Sequence, residues 1–139
     1  MPSKPLPIPL PGLVAVVDDD FQIAHALSDW FLFGGLQSTH YSSSEGLLQA
    51  LGRGTELVAA VLDLNLPGTS GFALATALHQ RFPLLPIVII TALNEDERTA
   101  YGSAPAGIAC LQKPFDLDAL DDALFPAMYA NLRKHQDLA

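Results

Sequence analysis

The chain has 139 residues, half of them hydrophobic and only 16% charged, which fits one globular domain and excludes a disordered chain or a disulfide-dense scaffold. Fifteen acidic residues against seven basic ones give a net charge of -8. Binding to nucleic acid needs clustered Lys and Arg, which the sequence lacks, so we expect no direct nucleic-acid partner.

The amino-terminal segment is rich in proline, at positions 2, 5, 7, 9 and 11. We predict that residues 1–12 form an extended, polyproline-like arm, which could dock in an aromatic groove on a partner. These prolines exclude the apolar helix of a signal peptide, and no stretch is long enough to span a membrane. The single cysteine, Cys110, cannot form an intramolecular disulfide. We therefore expect a cytoplasmic protein without a membrane partner.

Beyond the arm, short apolar runs alternate with segments of helical periodicity. Residues 134–139 are expected to be a tail, and residues 13–133 the domain. Helix boundaries are predicted from a capping box at Ser42–Glu45, from Asn94 with Glu97, and from Pro126, which should bend or end the last helix. The predicted strands are residues 13–17, 37–41, 57–62, 87–90 and 108–111.

Continuously apolar short strands are typical of a parallel sheet that is covered on both faces. Five such strands alternating with five helices predict an α/β fold, a three-layer doubly wound sandwich. In such sheets, ligands bind beyond the carboxyl ends of the strands.

Polar residues follow the predicted strands at that edge: Asp18 and Asp19 after the first, Asp63 after the third, Thr91 after the fourth and Lys113 after the fifth. Clustered carboxylates repel one another and need a cation to ionise fully. Oxygen ligands of this kind favour Mg²⁺. A hydroxyl and an ammonium complete a pocket for an anion, and a carboxylate at such a place could attack phosphorus.

Four segments resemble the receiver domain of two-component response regulators, and the resemblance covers about residues 12–125. It implies a flavodoxin-like sheet with strand order 2-1-3-4-5, and a role in phosphorelay signal transduction as a switch rather than an enzyme. The segments are residues 16–20, 62–71, 90–92 and 113–115.

The resemblance also implies a metal site for Mg²⁺, with Mn²⁺ as a substitute. Asp19 would be a direct ligand, Asp18 would act through water, and Asp63 and the backbone carbonyl of Asn65 would complete the protein's ligands.

Asp63 would be the phospho-acceptor, and its donor would be a sensor histidine kinase or a histidine phosphotransfer protein. Thr91 and Lys113 would contact the phosphoryl group, Ala92 would leave space beside it, and Pro114 resembles the proline that often follows a cis bond in this family. The downstream protein target stays unidentified and homodimer formation stays open. We expect no DNA-binding output domain in this chain.

One departure from the family pattern concerns its output surface. Cys110 stands where the family usually has Tyr or Phe, so we expect phosphorylation to be relayed mainly by Thr91 and the loop after strand four. Residues 101–107 are rich in helix breakers, which predicts a short or reshaped fourth helix.

Two other functions compete with the receiver interpretation. A haloacid-dehalogenase-like phosphatase would need a second acid two residues after Asp63, where the chain has Asn65. A pseudo-receiver would bind partners without phosphate, but the expected acids, Thr91 and Lys113 are all present.

Several other conspicuous residues have structural interpretations. Trp30 and Phe31 are predicted to anchor a helix to the core, and Cys110 to be a small buried strand residue. The four histidines share no metal-ligand spacing, and Asp20 is expected to be a solvated flanking acid. The acids of the last helix, Asp116, Asp118, Asp121 and Asp122, are predicted to form mostly a solvated face.

Overall fold

The computed structural model describes residues 12–138, and the side chains of residues 12–131, so most of the predicted arm lies outside the described residues. Among the described helices, none is both long and apolar enough to cross a membrane. The elements are β1 (Leu13–Val17), α1 (Phe21–Phe33), β2 (Ser38–Tyr41), α2 (Ser44–Gly52), β3 (Leu57–Asp63), α3 (Gly71–Arg81), β4 (Ile87–Thr91), α4 (Glu95–Arg98), a 3₁₀ turn (Thr99–Tyr101), β5 (Ala109–Gln112) and α5 (Leu117–Leu138).

The five strands form one parallel sheet in the order β2-β1-β3-β4-β5. This confirms the predicted doubly wound α/β fold and its strand order. The central strands β1, β3 and β4 are almost fully buried, whereas the edge strands β2 and β5 are half-buried. The reversal of strand order next to β1 places a crevice beyond its carboxyl end.

Two hydrophobic clusters cover the two faces of the sheet. Phe31 of α1 and Leu124 of α5 pack on one face, and Leu47 of α2 and Leu78 of α3 pack on the other. Each is at most 1% exposed, and burial of one such side chain stabilises the fold by roughly 1.5–3 kcal/mol. The two layers hold the strand ends, and therefore the polar edge of the sheet, in fixed positions.

Helix caps differ from the sequence prediction at one helix and agree at another. The α2 cap is Ser43, whose hydroxyl accepts from the amide of Gly46, so the box predicted over Ser42–Glu45 is wrong by one residue. At α4 the capping box between Asn94 and Glu97 forms in both directions. The helix is only four residues long and runs into the 3₁₀ turn, as the helix breakers that follow it indicate.

The last helix does not end at Pro126, one of the two outcomes predicted for that residue, because α5 continues through the proline to Leu138. Proline removes one amide donor, so the carbonyl four residues earlier, on Asp122, lacks its helical partner. Asp122 is exposed, where water can satisfy that carbonyl, while Leu124 and Met128 on either side of the proline are buried in the core. Packing therefore holds the helix together across the proline, past residue 133.

The prediction of a solvated acidic face on α5 was wrong for Asp121. This carboxylate is 2% exposed and accepts a hydrogen bond of 2.8 Å from the indole Nε1 of Trp30. The contact ties α1 to α5. Cys110 is half-buried on β5, less enclosed than its sequence context indicates, and burial raises the pKa of its thiol.

Candidate functional site

Three carboxylates meet at the carboxyl edge of the sheet. Asp18 and Asp19 follow β1, and Asp63 ends the neighbouring strand β3, since Val17 pairs with Leu62. One carboxylate oxygen from each lies within 4.8 Å of the others. Asp18 and Asp63 are buried, while Asp19 is exposed and can reach a ligand from solvent.

The ammonium of Lys113 lies against two of these carboxylates. Its Nζ is 3.1 Å from Asp18 Oδ2 and 3.8 Å from Asp63 Oδ1. The lysine follows β5, and its backbone amide donates to the carbonyl of Thr91. Its peptide bond with Pro114 is cis. One positive charge thus faces three carboxylates.

Asp63 is more difficult to ionise than an ordinary aspartate. Burial, with a further contribution from the Asp18 carboxylate, raises its pKa from 3.8 to about 6, although Lys113 opposes the increase. The amide of Asn65 also donates to Asp63 Oδ1, at 3.3 Å, and this favours the ionised form. The carboxylate is therefore mostly ionised at neutral pH.

The start of α3 packs directly behind Asp63. A Cβ atom added at Gly71 would lie 2.4 Å from the carbonyl oxygen of Asp63 and 2.7 Å from the Cα of Leu64. The amide of Gly71 donates to the Leu64 carbonyl at 2.8 Å. Only glycine allows the helix to approach the end of β3 this closely.

Thr91 is fully buried at the end of β4, the strand beside β3. Its Oγ1 accepts a hydrogen bond from the amide of Leu93 at 3.0 Å. A hydroxyl that accepts in this way still carries its own proton to donate. This hydrogen bond from the Leu93 amide connects the hydroxyl to the loop that leads into α4.

Two contacts at the site were not found from the sequence. The hydroxyl of Tyr101, in the 3₁₀ turn, donates to Asn65 Oδ1 at 2.7 Å. His40 Nε2, on β2, lies 2.5 Å from the carbonyl oxygen of Asp18. Both are long-range contacts without a local sequence pattern, and the only signal for Tyr101 was its place in a segment rich in helix breakers.

The donor set suits a hard divalent cation. Three carboxylates opposed by one ammonium leave an excess of negative charge, which a cation with oxygen ligands and bound water would relieve. The residues that sequence analysis assigned to a metal by their side chains, Asp18, Asp19 and Asp63, are the group that the structure brings together. The fourth expected ligand, Asn65, lies in the turn directly after Asp63.

Fold and site together define a doubly wound α/β domain with an acidic pocket at the carboxyl edge of its sheet. The family model of the response regulator receiver domain matches residues 14–125. The chain therefore belongs to this family and contains the receiver domain of a two-component response regulator, as its motifs indicated. Receiver domains act as signalling switches in phosphorelays, together with histidine kinases or phosphotransfer proteins, and typically bind Mg²⁺ in an acidic pocket.

Curated relatives are longer than this chain. The DNA-binding transcriptional regulator NtrC of Escherichia coli K12 is 35% identical over 107 residues, which cover 77% of this chain and 23% of NtrC. The response regulator protein FleR of Pseudomonas aeruginosa is 34% identical over 110 residues, with 78% and 23% coverage. The matched region thus spans about a quarter of these relatives, and the DNA-binding activity in the name of NtrC is not carried over to this chain.

Solved structures share the fold. A CheY-like receiver domain from Methanospirillum hungatei JF-1 has a TM-score of 0.73 at 18% identity, over 88% of this chain and 98% of the other. A sensor protein from Polaromonas sp. JS666 has the same TM-score at 28% identity, over 87% and 98%.

Proposed function

We propose that Asp63 accepts a phosphoryl group from a sensor histidine kinase or a histidine phosphotransfer protein in a Mg²⁺-dependent reaction. One observation carries the proposal: the carboxylates of Asp18, Asp19 and Asp63 share a space 4.8 Å across, beside the ammonium of Lys113. This is the charge arrangement that a phosphoryl group and a divalent cation need together.

In the proposed reaction, one carboxylate oxygen of Asp63 attacks phosphorus and forms the new O–P bond. The P–N bond of the donor's phosphohistidine breaks, and its electron pair leaves with the imidazole nitrogen. With acetyl phosphate as donor, a P–O bond breaks instead and acetate leaves. Because the pKa of Asp63 is about 6, its nucleophilic form predominates at pH 7 and above.

The remaining residues would neutralise and orient charge. Asp18, Asp19, Asp63 and the Asn65 carbonyl would hold Mg²⁺, or Mn²⁺ in its place, which offsets negative charge on the phosphoryl oxygens when bound. Lys113, already within 4 Å of both buried carboxylates, would pair with a phosphoryl oxygen.

Thr91 would donate its hydroxyl proton to another phosphoryl oxygen. Because its Oγ1 is bonded to the amide of Leu93, a reorientation of Thr91 would also shift the start of the β4–α4 loop. We propose this as the route by which phosphorylation changes partner binding in a chain with Cys110 on β5. The protein that recognises this change is not identified, and dimer formation stays open.

The first prediction tests the acceptor. Incubation with Mg²⁺ and acetyl phosphate should add one phosphoryl group, seen in the intact mass and labile to base. Asp63→Asn should abolish the adduct. The matched control is Asp20→Asn, since Asp20 only caps α1 through a bond to the Gln22 amide that asparagine can also accept.

The outcomes separate the competing functions. An adduct that persists in Asp63→Asn would contradict the assigned acceptor. Steady turnover of phosphate esters would favour the phosphatase, and no adduct with any donor would favour the pseudo-receiver.

A further inference from the structure

A groove of about 530 Å³ lies at the end of the sheet opposite the acidic site. It lies between the amino ends of β3 and β4 and the carboxyl-terminal half of α5. Apolar side chains form most of its wall, and one of them, Leu84, is 62% exposed. The main apolar lining residues are Leu57, Phe82, Pro83, Leu84, Pro86 and Met128.

The groove also carries hydrogen-bond donors along its wall. The guanidinium of Arg81 stacks on the ring of Phe82, 5.0 Å from its centroid. Asn131 uses its Nδ2 to donate to the carbonyl of Leu84 at 2.8 Å, and this amide nitrogen has a second proton to offer. Proline-rich segments bind to surfaces that combine an aromatic ring with flanking hydrogen-bond donors. Because proline has no backbone N–H, the carbonyl groups of such a segment need donors from the surface that binds it.

The chain enters the domain beside this groove. The amide of Leu13 donates to the carbonyl of Glu56 at 3.0 Å, and Glu56 lines the groove. Gly12 lies so close that an added Cβ would be 2.7 Å from the same carbonyl oxygen. The segment that precedes Gly12 therefore starts at the rim of the groove.

That segment has the composition that such a groove accepts. Residues 5–11 alternate proline with Leu6, Ile8 and Leu10. At about 3.1 Å per residue, seven residues in a polyproline conformation reach roughly 22 Å. Prolines restrict the free chain, so ordering the segment loses less conformational entropy than ordering an ordinary one.

We propose that the proline-rich arm, residues 5–11, occupies this groove of its own domain. The arm covers the exposed Leu84 and places its apolar side chains against Phe82. The arm of a second copy would use the same chemistry, and this occupant is an outcome of the test.

Cross-linking tests the proposal directly. In a Cys110→Ser background, which removes the only native cysteine, Leu84→Cys is combined in turn with Leu6→Cys, Ile8→Cys or Leu10→Cys. Mild oxidation should give a disulfide within one chain for at least one pair, seen as a monomer on a non-reducing gel and located by peptide mapping.

The control pairs the same arm cysteines with Ser103→Cys, an exposed position in the loop between the 3₁₀ turn and β5. Cross-links that form equally well to both positions would overturn the proposal, and so would the absence of any cross-link. Concentration-dependent covalent dimers would assign the groove to a second copy.

A second measurement avoids the new cysteines. Changing Leu6, Ile8 and Leu10 to serine in the full chain should increase hydrogen exchange at the backbone amides of Phe82, Leu84 and Leu85 and lower Tm by a few degrees. Phe82→Ala should remove most of that difference, since both changes break the same contact. Unchanged exchange at these three amides in the serine variant would contradict a docked arm, and a normal Asp63 adduct would show that the variant is folded.

Discussion

As the proposed phospho-acceptor, Asp63 would combine two properties that oppose each other, nucleophilic reactivity and the free-energy cost of a buried charge. Its pKa of about 6 is above that of an unfolded aspartate, because burial and Asp18 disfavour ionisation. The folded protein therefore binds this proton more tightly than the unfolded chain. Stability from this group is present at pH 4 and is lost as the pH rises through about 6.

The second prediction follows from the direction of the Asp63 pKa shift. Without divalent cations at pH 7.5, the free energy of unfolding of Asp63→Asn should exceed that of the wild type by on the order of 1–3 kcal/mol. Its unfolding temperature should rise accordingly. The difference should shrink towards pH 4, where Asp63 is protonated. Thermal unfolding of both proteins in EDTA across this range measures it. A constant difference at all pH values would contradict the role of ionisation.

Tyr101 contacts the site, although no sequence motif identified it. Its hydroxyl donates to the side chain of Asn65, whose backbone amide in turn donates to the Asp63 carboxylate. This bond ties the 3₁₀ turn to the turn after Asp63, so we expect that loosening it would admit water to a phosphorylated Asp63.

The third prediction is that Tyr101→Phe shortens the lifetime of the adduct by up to about fivefold, since one hydrogen bond is worth roughly 1 kcal/mol. Decay of the phosphorylated mass after removal of the donor measures this. Asn65→Ala should remove the effect of the tyrosine substitution. A lifetime unchanged by Tyr101→Phe would show that the contact does not control water access.

The sequence predicted site residues that carry a local pattern, but not contacts between residues that are far apart along the chain. Asp18, Asp19 and Asp63 were found because each directly follows an apolar strand, which is a local signal. The bonds of Tyr101 to Asn65 and of Trp30 to Asp121 join residues 36 and 91 positions apart. No local pattern predicts such a pair, because the contact exists only once the sheet and helices are packed.

At the scale of elements, the close approach of α3 to β3 holds Asp63 in position. The fourth prediction is that Gly71→Ala destabilises the fold by more than 2 kcal/mol and reduces phosphorylation, because the new methyl group meets backbone atoms that must move. Chemical denaturation and intact mass measure the two effects.

The control for this substitution is Gly52→Ala at the end of α2, where an added Cβ meets nothing within 4 Å. It should be neutral or slightly stabilising, since alanine favours helices. Equal destabilisation by both changes would remove the steric explanation for Gly71.

Element boundaries were predicted less well than element types. The alternation of apolar runs gave the strands and their parallel sheet, because burial on two faces leaves a strong pattern. The sequence did not decide whether α5 ends at Pro126 or continues through it, because the loss of one backbone hydrogen bond is opposed by the packing of Leu124 and Met128. That balance depends on the sheet beneath the helix.

For the whole molecule, the excess of negative charge at the site predicts that a divalent cation stabilises the fold. The fifth prediction is that Mg²⁺ at about 100 times its Kd raises the free energy of unfolding by roughly 2.7 kcal/mol. Asp19→Asn should weaken this response, whereas Asp20→Asn should not. Calorimetric unfolding with and without Mg²⁺ measures it, and an equal response in all three proteins would argue against a site at these carboxylates.

The short α4 and its 3₁₀ turn contribute no buried residue to either cluster. Unravelling these seven residues would expose almost no apolar surface, so their local opening costs far less free energy than opening of any other helix. A binding protein could therefore change the conformation of α4 and the 3₁₀ turn at a small cost in free energy, while the strands of the sheet keep their register. The segment whose conformation a partner could change most easily is thus joined by one hydrogen bond to the turn that follows Asp63.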